Sequence, residues 1–186
     1  DVVGSRFEFN NYRHKDFSLF TEECVPTDDS VMTFAVAEAL LNCQGDYSKL
    51  AAQAVAFMQK WGRRYPDAVY GGNFRYWLIN PKPQPYNSFG NGSAMRVSPC
   101  GWAAQSLEEA VRLADLVTAV THNHPEGMKG AEATAAAIFL ARTGMDQQEI
   151  RSYIEKYYYR WDFTLDEIRA TYEFDESCQG SVPQAL

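Results

Sequence analysis

From position 27 the chain reads TDDSVMTFAVAEALL, with Val31, Phe34, Ala35 and Ala39 recurring near the helical period. This pattern predicts a helix with Thr27 as its N-cap and with Asp28 and Asp29 at the positive end of its dipole. Asp46 caps a second predicted helix, YSKLAAQAVAFMQKW, which should end near Gly62 and before Pro66. Capping-box spacing then recurs at Ser106/Glu109, Asp146/Glu149 and Thr164/Glu167, each just ahead of an amphipathic run. A further helix follows Pro125 through KGAEATAAAIFLARTG, with Gly144 as its stop. Its small residues Ala133, Ala135, Ala136 and Ala137 let neighbouring helices come close. No run alternates apolar and polar positions as a strand would, so the expectation is an all-α fold without a sheet. Residues 1–26 and 62–102 fall outside these helices and read as long loops, the second rich in Gly, Pro, Asn and aromatics. Long loops in a helical domain more often carry function than not.

The length of 186 residues and an apolar share of 46% suit one domain, 1–186, with a sizeable core. A net charge of −7 argues against general nucleic-acid binding, which needs basic phosphate contacts. No apolar stretch is long enough and free enough of charge to span a membrane. Cys24, Cys43, Cys100 and Cys178 are widely spaced and form no C-x-x-C pair, as expected of a reduced cytoplasmic protein without a zinc cage. The start at Asp1 is neither a signal peptide nor a methionine, and a clipped N-terminus is expected.

Four segments could carry chemistry. Thr27-Asp28-Asp29 is either an ordinary acidic helix start or a set of hard oxygen donors for Mg²⁺ or Mn²⁺. Glu8 is either a solvated loop carboxylate or a proton-moving and water-orienting group. Ser88-Phe89-Gly90-Asn91-Gly92 is either a plain tight turn or a turn whose free amides cradle a diphosphate, and Tyr70-Gly71-Gly72-Asn73 is a second turn of that kind. In THNHPEG, His122 and His124 lack a neighbouring cysteine, so a polar turn that hydrogen-bonds a ligand or a helix is favoured over zinc. Tyr157, Tyr158, Tyr159 and Trp161 at one helix end read as core packing.

The segments DVVGSRFEF, PTDDSVMT, YGGNF, SFGNGSAMRVSPCGW, THNHPEGMKGAEATA and SCQGSVPQAL, in this order, resemble the ADP-ribosylglycohydrolase family. The resemblance implies a compact orthogonal multi-helix bundle with two Mg²⁺ ions in a central cleft. It implies Thr27, Asp28 and Asp29 as metal ligands, the two aspartates also being catalytic, and Glu8 as the catalytic, gating glutamate. It implies Ser88, Phe89, Gly90, Asn91 and Gly92 as the ADP-ribose turn, with Gly71 and His122 as further ligand contacts. Position 30 is Ser where the family commonly has Thr. The family's late G-G-D-x-D-T motif, which supplies the remaining metal ligands, is not in the sequence, and the expectation is a chain lacking segments at both ends. The implied activity is Mg²⁺-dependent hydrolysis of the bond between ADP-ribose and a modified macromolecule. The alternative from another class is a non-catalytic ADP-ribose-binding protein.

Overall fold

Helix starts in this chain are set by side-chain oxygens that take up the first free amides. Asp146 and Thr164 make full capping boxes with Glu149 and Glu167. Ser106 accepts from the Glu109 amide, but the Glu109 carboxylate turns to the Gln105 amide, so the third expected box is not reciprocal. The computed structural model describes residues 1–186 and contains nine α-helices: α1 Asp28–Cys43, α2 Leu50–Arg64, α3 Gly72–Ile79, α4 Ser98–Ala103, α5 Leu107–Thr118, α6 Pro125–Arg142, α7 Gln147–Tyr157, α8 Leu165–Ile168 and α9 Cys178–Ala185. The fold is all-α. Its only β pairing is the isolated bridge between Gly90 and Ser177. No helix is long and apolar enough to cross a membrane.

Several expectations change in three dimensions. The stretch 62–102 is not one loop, because it holds α3 and α4. The short apolar runs FRYWLI and PCGWA lack the length that periodicity needs, yet each finds a core to cover. α2 ends at Arg64, near Gly62 and before Pro66 as expected, with Gly62 inside the helix. A β-carbon there would stand 2.5 Å from Leu78, so the glycine lets α2 and α3 touch. Phe34 leaves the buried face of α1 and is 54% exposed, lying 5.8 Å from the Trp61 ring on the flank. Val31, Ala35 and Ala39, four residues apart, make the buried stripe instead. Asp46 caps a 3₁₀ turn, Tyr47–Lys49, that leads into α2.

α6 is the hub, in contact with α4, α5, α7 and α9. Its small residues Gly130, Ala131, Ala133, Ala135 and Ala136 are buried. A β-carbon at Gly101 would stand 2.8 Å from the Ala135 carbonyl oxygen, so α4 and α6 meet backbone to backbone. At the far end Gly144 takes φ +94°, and the amides of Gly144 and Met145 close back on Ala141 and Leu140. The main core joins α1 to α6. A smaller core of Ala94, Ala133, Ile154, Tyr159, Cys178 and Val182 seats α9, and fully burying a side chain such as Ile154 stabilises by about 2 kcal/mol. Tyr159 joins that core, whereas Tyr157 is 55% exposed. The N-terminal segment is held from outside: Arg13 donates to the carbonyls of Ala170 and Tyr172.

Candidate functional site

The candidate site has an acidic pole and a glycine turn, with the buried side chains of Tyr70, Phe74, Arg96 and His122 in the core between them. At the pole, Thr27 occupies the N-cap position of α1 but its side chain caps no amide. The capping group is Asp1, which sequence reasoning passed over. Its carboxylate accepts from the Thr27 and Ser30 amides, both at 3.1 Å, from the Thr27 hydroxyl at 2.6 Å, and from the Ser30 hydroxyl. With its proton turned to Asp1, the buried Thr27 hydroxyl keeps oxygen lone pairs for another partner. Burial first, then the neighbouring Asp29 and Glu8 carboxylates, push Asp28 up to about 7. Burial first and Asp29 second also raise Glu8, which closes the 3₁₀ turn Ser5–Phe7. None of these three carboxylates is in an ion pair with Lys, Arg or His.

At the turn, Ser88 Oγ accepts from the Gly90 amide at 3.1 Å. The segment before α9 then clamps it. The Asn91 amide donates to the Glu176 carbonyl at 2.7 Å, the Cys178 amide donates to the Phe89 carbonyl at 2.9 Å, and the Asn91 side-chain amide donates to Ser181 Oγ at 3.0 Å. The expected row of free amides is therefore shorter than five: those of Gly90 and Asn91 are used internally, while those of Ser88, Phe89 and Gly92 make no hydrogen bond within the chain. Phe89 is 48% exposed, so its ring is available to a ligand. Gly71 is the exposed N-cap of α3, with no atom within 4 Å of where a β-carbon would be.

His122 is buried, and its Nε2 packs on the turn: a β-carbon at Gly92 would stand 3.1 Å away. His124 turns elsewhere and caps α6, its Nδ1 accepting from the Glu126 amide at 3.1 Å. The two histidines thus turn to different partners. Burial, with Asp28 next, raises the Tyr70 phenol to about 12. Tyr70 lies 5.7 Å from the Phe74 ring, and the Arg96 guanidinium lies 5.8 Å from that ring. Arg96 donates to Thr121, which hydrogen-bonds His122. A groove of about 410 Å³ between α2, α5 and residues 83–85 contains none of these groups.

A family model described as ADP-ribosylglycohydrolase matches residues 1–185. The chain belongs to the ADP-ribosylglycohydrolase family. It is 31% identical over 150 residues to "ADP-ribosylhydrolase ARH3" of Mus musculus, a match covering 71% of this chain and 39% of that protein. It is 31% identical over 147 residues to the Homo sapiens protein of the same name, covering 69% of this chain and 39% of that protein. The chain thus spans about two-fifths of the length of these curated relatives.

The donor chemistry at the start of α1 suits a hard cation in kind. Two carboxylates and a hydroxyl sit at one helix start, and their mutual repulsion is unrelieved by any cationic side chain. They make part of an octahedral shell only, since no three His, Cys, Asp or Glu side chains stand close enough to enclose a metal. Sequence reasoning missed three roles: the cap that Asp1 supplies, the place of Tyr70 near Asp28, and the clamp that Glu176, Cys178 and Ser181 put on the turn. Local patterns carry no signal for these roles, because each residue acts on a partner distant in sequence.

Proposed function

We propose that this chain is the ligand-binding part of a hydrolase that removes ADP-ribose from a modified macromolecule. The reading is supported by the carboxylate-rich start of α1 and by the free amides of Ser88, Phe89 and Gly92 at the turn, the two chemistries that a sugar linked to a diphosphate requires. The ARH3 relatives are named for this activity.

In this reading the free amides of Ser88, Phe89 and Gly92 bind phosphate oxygens, with His122 Nε2 beside them. The Phe89 ring covers an apolar part of the ligand. Mg²⁺, as two ions or with Mn²⁺ in its place, would be held by Thr27, Asp28 and Asp29 and would supply Lewis acidity and a template for ribose hydroxyls. Glu8, its proton affinity raised by burial and by Asp29, orients the attacking water and takes its proton as the anomeric bond opens through an oxocarbenium-like state. The free thiols of all four cysteines support a reducing, cytoplasmic setting.

The test is release of ADP-ribose from a panel of arginine-, serine- and nucleobase-linked substrates and O-acetyl-ADP-ribose, with and without Mg²⁺. Asp28→Ala and Asp29→Ala should each abolish release. Normal turnover by both variants would overturn the mechanism. Mg²⁺-independent binding of ADP-ribose with no release from any substrate would establish the non-catalytic binder instead.

A further inference from the structure

Arg96 is the largest fully buried side chain of the molecule, and no carboxylate neutralises it. A buried guanidinium without a counter-ion is costly and has to be doing something for its neighbours. It spends Nη2 on two acceptors, the Val117 carbonyl at 3.1 Å and Thr121 Oγ1 at 2.6 Å, while Nε and Nη1 have no partner. Thr121, also fully buried, stands between Arg96 and the Nδ1 atom of His122, which is 2.7 Å away. The other ring nitrogen, Nε2, has no hydrogen-bond partner in the chain and rests against Gly90 and Gly92.

Thr121 Oγ1 either donates to Nδ1 or accepts from it, and the bond lengths favour the first. Arg96 can only donate, so one lone pair of Thr121 Oγ1 is taken. The hydroxyl proton has two possible acceptors, the Thr118 carbonyl at 3.3 Å and His122 Nδ1 at 2.7 Å. The first is long for a hydroxyl donor and the second is within the normal range. A proton directed to Nδ1 makes that atom an acceptor, and a neutral imidazole then carries its hydrogen on Nε2. Burial, and after it the Arg96 charge, hold His122 down to about 3, so the ring is neutral at pH 7.

We infer that Arg96 and Thr121 are positioning residues that hold His122 in its Nε2–H form, aimed as a hydrogen-bond donor at a phosphate oxygen bound in the Gly90–Gly92 turn. The inference rests on the proposed placement of ADP-ribose in that turn. It adds the reason a buried, neutral histidine serves an anionic ligand: the donor is fixed before the ligand arrives, and no imidazolium has to be desolvated. Thr121 is the place to intervene, because Thr121→Val keeps the shape and removes the hydroxyl, whereas truncating Arg96 disturbs the core.

The test uses the wild-type chain, Thr121→Val and Thr121→Ser. With only three histidines in the sequence, the ¹⁵N imidazole signals separate readily at pH 7. The wild type should show His122 protonated on Nε2 and bare at Nδ1. Thr121→Val should give a tautomer mixture and bind ADP-ribose about tenfold more weakly by calorimetry, the loss expected for one hydrogen bond to a charged acceptor. Thr121→Ser should restore both. A wild-type His122 protonated on Nδ1, or a Thr121→Val variant with unchanged tautomer and affinity, overturns the inference. A wild type that shows the Nε2–H form and binds no ADP-ribose overturns the ligand placement and leaves the relay standing.

Discussion

Replacing Asp28 with Asn should stabilise the metal-free protein, and increasingly so as pH rises. In the fold the Asp28 carboxyl stands at about 7, against 3.8 for the ordinary group. Between those values the folded state binds more protons than the unfolded chain, so the wild type loses stability as pH rises from about 4 to about 7 and loses no more from this group above that. The full difference is worth on the order of 4 kcal/mol. Water still reaches part of the carboxylate, and Asn remains a buried polar group, so a gain of about 1–3 kcal/mol above pH 7 is the reasonable expectation. The assay is urea unfolding of wild type and Asp28→Asn at several pH values from 4 to 8, with chelator present. The two curves should nearly meet at pH 4 and separate toward pH 8, with the variant above. A gap that stays constant across this range would refute the argument that burial and the neighbouring carboxylates disfavour the charged form of Asp28. Adding Mg²⁺ at a hundred times its dissociation constant should then raise wild-type stability by about 2.7 kcal/mol, an effect the variant should lose.

Three further outcomes are expected. Asp1→Ala removes the acceptor for two amides and two hydroxyls at the start of α1 and should cost about 1–2 kcal/mol in chemical denaturation, with Asp1→Asn in between. Gly101→Ala forces a β-carbon against the Ala135 carbonyl and the Ile138 side chain, and a loss of about 1–3 kcal/mol in thermal unfolding is expected from this overpacking. Phe89→Ala removes a half-exposed ring and should leave the melting temperature unchanged while weakening ADP-ribose binding roughly tenfold, as measured by calorimetry.

Local chemistry was legible in the sequence because its causes are local. Asp146 and Thr164 cap amides three residues on, and Gly144 stops α6 through its own φ, so residue type and spacing were enough to place those helix ends. The acidic pair at 28 and 29 is adjacent in the chain, and the glycine turn lies within five residues, so both could be proposed before any fold was known. The six ordered segments carried the family likeness for the same reason. Only the tertiary structure decided which groups act on them. Asp1 caps α1 across 26 residues, Arg96 reaches Thr121 across 25, and Asn91 meets Ser181 across 90. It also withdrew the Asn91 amide, which looked free, by pairing the turn with Glu176. Such contacts exist only after helices pack and long loops close. Periodicity and capping rules see a few residues at a time, whereas burial, repulsion between carboxylates and the proton on a histidine are fixed by whatever the whole fold brings alongside.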